Sequence, residues 1–292
     1  MTLATAPPPQ PLGNGVSKSL ANWHQGWGGK NDSFWCCYGT AIESFSKLGD
    51  SIYFHEGGDA ASGGKPPQVW IVQLVSSTLA DDYHGLNLTQ SVHNVRAGTG
   101  RKDNLMQTTL TVGQLSAASA ISADLTLSLR IPGWADASAT TVSLNGEPLV
   151  RPGAGQVGTF LHVKRPQWKA GDVLAASFGM RPRFVKLNDD RDAYDHVGSL
   201  HYGPYLLVGL TNGSSALNAN VADIDSWLAL DPASSPGAAH ELSFTATAGR
   251  ESGGSGSRGF KLLPLNRVVD QVYTAHFNIS AGAACATVAL TH

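Results

Sequence analysis

The stretch Leu125-Thr126-Leu127-Ser128-Leu129-Arg130-Ile131-Pro132-Gly133-Trp134 decides the fold class. Leu125, Leu127, Leu129 and Ile131 alternate with Thr126, Ser128 and Arg130, a period of two that predicts a strand with one buried and one wet face. Working outward, the same signal predicts strands at Val69–Val75, Leu86–Val92, Leu105–Val112, Thr141–Leu144, Thr159–Val163, Val173–Phe178 and Tyr205–Val208. Weaker candidates follow at His240–Thr247, Phe260–Leu265, Val272–Ile279 and Ala286–Leu290. Between strands, Asn145-Gly146 is the strongest hairpin signal, because both residues tolerate the positive φ of a type I′ turn. Short strands with turns between them indicate antiparallel sandwiches.

The chain has 292 residues, a size that points to about two domains. Twenty Lys+Arg against 22 Asp+Glu leave a net charge of -2, which argues against nucleic-acid binding, since phosphate neutralisation needs a surplus of cations. No apolar run approaches the ~18 residues of a membrane span. Pro7, Pro8, Pro9 and Pro11 crowd a start that lacks the basic and apolar regions of a signal peptide, and residues 1–15 read as a disordered lead-in. Four Asn-x-Ser/Thr sequons, at Asn31, Asn87, Asn212 and Asn278, are compatible with a secretory route. Compartment and oligomeric state stay open.

One helix is predicted. Ala41, Ile42, Phe45, Leu48 and Ile52 share a face at the 3.6-residue period, Thr40 and Glu43 form a capping box, and Gly49 suits the C-terminal position.

The chemically capable side chains concentrate just before it: Trp23, His24, Trp27, Phe34, Trp35, Cys36, Cys37 and Tyr38. Adjacent cysteines bond each other only with strain in the intervening peptide. On the residues alone Cys36 and Cys37 read either as two buried small hydrophobes, the commoner case, or as neighbouring thiolates sharing a soft metal such as zinc. His24 and Trp27 read either as packing residues or as the lining of a sugar subsite, where an aromatic face stacks on the ring and imidazole bonds hydroxyls. Glu43 is explained by its cap. Asp189, Asp190 and Asp192 around Arg191 read as a solvated turn or a domain-linking ion pair. Trp70, Trp134, Trp168 and Trp227 are assigned to sandwich cores. The other histidines show no ligand spacing on a helix and receive no role.

The segment FWCCYGTAIESFSKLGDSIYF, Phe34 to Phe54, resembles the signature of glycoside hydrolase family 127, the β-L-arabinofuranosidase-like proteins, and particularly their plant and algal branch. The likeness continues through PLGNGVSK (11–18), GWG (26–28), LRIPGW (129–134), VSLNG (142–146), RPQWKAGD (165–172), DDRDAY (189–194), YGPYLLVG (202–209) and DIDSWL (223–228). It implies a mainly β chain: two antiparallel β-sandwich domains, 55–187 and 188–292, preceded in 1–54 by the last helix of a truncated (α/α)6 catalytic barrel.

The implied chemistry is that of a retaining glycosidase acting on terminal β-L-arabinofuranosyl groups of glycans or glycoproteins, with Cys36 as nucleophile and zinc ligand, Cys37 as second zinc ligand, and a Glu as acid. The chain departs from that pattern where the chemistry is decided. No Glu precedes Glu43, no Glu-x-Cys occurs anywhere, and no further Cys occurs before Cys285. The expectation is a C-terminal portion of such an enzyme without turnover of its own. Two rivals remain: a non-catalytic carbohydrate-binding or scaffolding sandwich, and a thiol-based metal or redox protein.

Overall fold

The computed structural model describes residues 44–47, 49–58, 64–96, 104–116, 120–150, 154–189, 191–211, 216–217, 219–231, 242–247, 259–268 and 271–279. They form eighteen strands: β1 (Tyr53–Glu56), β2 (Gln68–Ile71), β3 (Ser77–Asp81), β4 (Leu86–Arg96), β5 (Asn104–Gln114), β6 (Thr126–Arg130), β7 (Asp136–Leu144), β8 (Glu147–Val150), β9 (Phe160–Lys164), β10 (Val173–Gly179), β11 (Pro182–Lys186), β12 (Val197–Tyr202), β13 (Tyr205–Gly209), β14 (Ala216–Leu217), β15 (Leu228–Leu230), β16 (Phe244–Ala246), β17 (Phe260–Pro264) and β18 (Phe277–Ile279). The mainly β sandwich architecture expected from the alternating pattern is what the chain adopts. No described helix is long and apolar enough to cross a membrane.

The first unit packs a four-stranded sheet, β1-β2-β6-β9, on a six-stranded one, β3-β4-β5-β10-β7-β8. Leu125, Leu127, Leu129 and Ile131 are all fully buried, as their alternation requires, and meet Val69 and Ile71 from the same side of the core and Leu86, Leu88, Leu110 and Leu174 from the facing sheet. Most pairs are antiparallel, but β2 and β6 run parallel with β3–β5 in the crossover between them. Trp168 is buried with its Nε1 donating to the Leu125 carbonyl at 2.8 Å. Trp70 is the exception among the tryptophans. It lies on the outer face of β2, edge-on to Phe160 with ring centroids 4.9 Å apart, because β2 sends Val69 and Ile71 inward and must send Trp70 the other way.

The second unit is one sheet in the order β14-β18-β12-β13-β17-β16-β15, with β11 on the other edge of β12. β12 shares one edge between two neighbours: Val197 and Gly198 pair with β18, and Leu200 to Tyr202 pair with β13. β14 runs parallel to β18. The core gathers Leu200, Tyr202, Leu207, Phe244, Leu262 and Phe277, and it also takes in Met106 of β5. Polar bonds cross at the same place, Asn104 Nδ2 to the Tyr202 hydroxyl at 2.8 Å and Asn94 Nδ2 to the Tyr205 hydroxyl at 2.9 Å.

Most of the predicted helix, with Thr40, Ala41, Ile42, Glu43 and Leu48, lies outside the described residues. Of the described part, Ser44–Lys47 forms a 3-10 turn, and Ile52 is buried while its carbonyl accepts from Val72 N at 2.9 Å as an extension of the β1 ladder.

The Asn145-Gly146 turn forms as expected, with φ of 54° and 86°. It is also latched. Asn145 Nδ2 donates to Asp172 Oδ1 at 2.8 Å, Lys169 N donates to Oδ2 at 2.8 Å, and the Arg165 guanidinium stands 2.9 Å from Oδ2. Burial pushes the Asp172 carboxyl up, but these donors outweigh it and hold the group below its ordinary 3.8. A carboxyl depressed in the folded state stabilises above its unfolded-state value and loses that contribution as pH falls through the folded value. Asp172→Asn is therefore expected to cost about 1–3 kcal/mol at pH 7. Urea denaturation should show the gap between variant and parent narrowing steadily below about pH 4.

Candidate functional site

Cys36 and Cys37, the expected nucleophile and zinc ligands, and His24 and Trp27, the expected sugar contacts, all lie outside the described residues, as do Glu43 and Cys285. The Asp189–Arg191 stretch is the solvated turn that composition suggests: Arg191 grips Asp189 through Nε at 2.8 Å and Nη2 at 2.7 Å in the open, with its guanidinium 4.4 Å over the Tyr194 ring. Asp190 is outside the described residues.

The densest group of ligand-type side chains among the described residues is His55, Asp81 and His84, which sequence spacing did not single out. β1 is an edge of the four-stranded sheet and β3 an edge of the six-stranded sheet, so His55 and Asp81 meet where the two sheets come together. Tyr53 and Ser77 bridge the same edges, hydroxyl to hydroxyl, at 2.9 Å. Asp81 ends β3, and the turn that follows, residues 82–85, brings His84 back beneath it. Asp81 Oδ1 accepts from Tyr83 N at 3.1 Å and lies 3.1 Å from His55 Nδ1, while Oδ2 lies 2.5 Å from His84 Nδ1. The side chains of Asp81 and His84 are fully buried; that of His55 is 45% exposed, with Tyr83 edge-on at 4.5 Å between centroids.

The protons on His84 follow from its partners. Its Nε2 is 3.0 Å from the Gly57 carbonyl, which only accepts, so Nε2 carries a hydrogen. That assignment points Nδ1 at a carboxylate oxygen 2.5 Å away, a hydrogen-bond separation that requires a proton between the two lone pairs. The supporting backbone is equally specific. Gly57 and Gly58 have φ of 75° and 88°, and a Cβ on Gly57 would fall 2.2 Å from the Pro66 carbonyl oxygen, one on Gly58 3.0 Å from His84 Cδ2. Only glycine lets the chain run this close to the imidazole.

A second group lies on the outer face of the four-stranded sheet, where Ser128, expected on a wet face, is fully buried beneath its neighbours. Phe54, Trp70, Ser128 and His162 sit in register across β1, β2, β6 and β9. Ser128 Oγ is 2.8 Å from His162 Nδ1 and accepts from Gln68 Nε2 at 2.7 Å. Phe54 is half exposed.

Against this structure the comparisons with known proteins are consistent in kind. Residues 68–180 match the family model described as β-L-arabinofuranosidase, GH127 middle domain. No curated protein matches the chain. A GH127 β-L-arabinofuranosidase from Geobacillus stearothermophilus T6 superposes with a TM-score of 0.52 at 18% identity, covering 85% of this chain and 38% of its own. The GH127 β-arabinofuranosidase BT3674 gives 0.47 at 20% identity over 73% of this chain and 35% of its own, and a glycoside hydrolase gives 0.48 at 16% over 72% and 36%. The first likeness shows a shared fold, and the chain spans little more than a third of that enzyme's length.

Replacing Gly57 by Ala sets a Cβ against the Pro66 carbonyl at a positive φ, and is expected to destabilise by more than ~1 kcal/mol. The resonances of His84 should shift with it, since its carbonyl partner moves, and a variant whose melting and His84 signals match the parent would contradict this account.

Proposed function

We propose that this chain, whose residues 68–180 match the middle-domain model of glycoside hydrolase family 127, is part of a retaining hydrolase of β-L-arabinofuranosyl glycans in which Cys36 is the nucleophile. The observation that carries the reading is the match over 68–180 in a chain whose Cys36-Cys37 motif stands upstream in the order the family resemblance requires. In such a reaction the Cys36 sulfur forms a bond to the anomeric carbon as the glycosidic C–O bond breaks. The departing oxygen takes a proton from a carboxylic acid, and water later displaces the sulfur with retention.

Zinc suits two adjacent thiols by donor type, and when bound it supplies the field that keeps sulfur as thiolate at neutral pH. Cys36 and Cys37 would supply two of its ligands, and the 292 residues contain no Glu-x-Cys to supply the others. The substrate class that fits is a glycan ending in L-arabinofuranose, free or on protein.

The 292-residue chain alone is expected to release no arabinose from an aryl β-L-arabinofuranoside, because the resemblance puts the acid Glu upstream of the cysteine pair and no Glu precedes Glu43 in these residues. The nucleophile is tested without needing that acid: a haloacetamide carried on L-arabinofuranose should alkylate Cys36 ahead of Cys37, with free L-arabinose protecting. Mass spectrometry showing equal labelling of both thiols, or no protection, would remove Cys36 from the role.

The outer face bearing Phe54, Trp70, Phe160 and His162 favours a second reading, a glycan-binding sandwich, since an exposed Phe54 ring and the partly exposed rings of Trp70 and Phe160 stand beside hydrogen-bonding side chains, as a stacking sugar requires. Retention on an arabinan column that survives Cys36→Ser/Cys37→Ser and is lost in Trp70→Ala would select it.

A further inference from the structure

We propose that His55, Asp81 and His84 form a divalent-metal site of the zinc class that clips the two sheets of the first sandwich together at their edges. Three observations carry it. The ligand atoms, His55 Nδ1, an Asp81 carboxylate oxygen and His84 Nδ1, all lie within 4.8 Å of one another, a spread that brackets the about 3.3 Å between ligands of a tetrahedral ion bound at about 2.0–2.1 Å. His84 donates its far nitrogen to the Gly57 carbonyl, the outer-shell support that fixes a ligating imidazole in the tautomer with its near nitrogen free for metal. The Asp81 carboxylate already gathers both imidazoles, His84 Nδ1 at 2.5 Å and His55 Nδ1 at 3.1 Å, and an ion replacing the protons between them needs the closer pair to part to about 3.3 Å.

The charge balance is simple. Asp81 contributes one negative charge and the two imidazoles are neutral ligands, so a dication entering the site releases the proton held between Asp81 and His84 to solvent, the proton that His55 Nδ1 presents to Asp81 Oδ1 moves to its own Nε2 through solvent, and the proton on His84 Nε2 stays in place. Two imidazoles and one carboxylate match the donor preference of zinc and its first-row neighbours rather than calcium or magnesium, which take oxygen ligands. With Asp81 and His84 buried and His55 half exposed, the remaining coordination position opens on the solvent side, where water completes the tetrahedron. Because His55 comes from β1 and the other two ligands from β3 and its turn, the ion ties strands that no backbone hydrogen bond joins. The site is separate from Cys36 and Cys37 in ligand type, so the two claims can be tested apart.

The full 292-residue chain carrying Cys36→Ser/Cys37→Ser, stripped with a chelator, is titrated with Zn2+ by calorimetry and with Co2+ by absorption. The expected result is one ion per chain, weak cobalt bands without thiolate charge transfer, and a higher thermal midpoint in zinc than in chelator. His55→Ala, at a half-exposed position that leaves the buried pair intact, should weaken binding at least tenfold and abolish the thermal shift, and Asp81→Asn should do the same. Cobalt added to the unsubstituted chain reads the same nitrogen and oxygen bands beside any thiolate bands, and so serves if the serine variant folds poorly. Absence of stoichiometric binding in both backgrounds would mean that a proton alone fills the contact and would overturn the proposal, as would binding unchanged in His55→Ala.

Discussion

A strand shows alternate residues to the same side, so a long strand buried at every second position must lie under unbroken cover. β4 and β5 are each eleven residues, and this constraint organises the molecule around them. On β5 the inward row is Asn104, Met106, Thr108, Leu110 and Val112. Leu110 and Val112 belong to the first core, Met106 to the second, and Asn104 bonds Tyr202 beyond it. On β4 the row runs from Leu86 and Leu88 in the first core through buried Gln90 to Val92, which packs on the second, and Asn94, which bonds Tyr205. One pleated surface therefore serves both cores, with polar Gln90 and Thr108 at the changeover. The YGPY turn completes the contact: Gly203 sits at φ 53°, and a Cβ there would fall 2.6 Å from Met180 Cγ.

Much of this was legible in the sequence where the residues themselves fill the pattern. Leu125 to Ile131 alternate because the side chains that face the core are their own, and Asn145-Gly146 announces its turn because few other residues adopt those angles. β12 went unrecognised for the opposite reason. Its inward positions are Gly198, Leu200 and Tyr202, and the first is blank because the Phe184 ring occupies the space, 2.3 Å from where a Cβ would stand. The apolar period is complete in three dimensions and broken in one. β3, STLAD, shows no apolar alternation because its one buried side chain is Asp81, and β8 and β14 span only four and two residues.

The His55–Asp81–His84 group was hidden by topology. A ligand spacing can be read when one helix presents its ligands, but here the partners come from edges of different sheets. Only Asp81 and His84, three apart across a tight turn, carried a local hint. The cysteine pair shows the converse case. Its two thiols are visible because they are adjacent in the chain, and adjacency alone leaves both readings open, buried hydrophobes or a shared metal.

The stretch that matches the middle-domain model ends at residue 180, and Met180 is a fully buried member of the second core. The border of that stretch thus runs through the middle of a packed contact. A boundary drawn along the chain and one drawn through the packing do not coincide here: cutting at residue 180 would strip Met106 and Val92 of their cover and leave an oily flank on the half that carries the matched stretch.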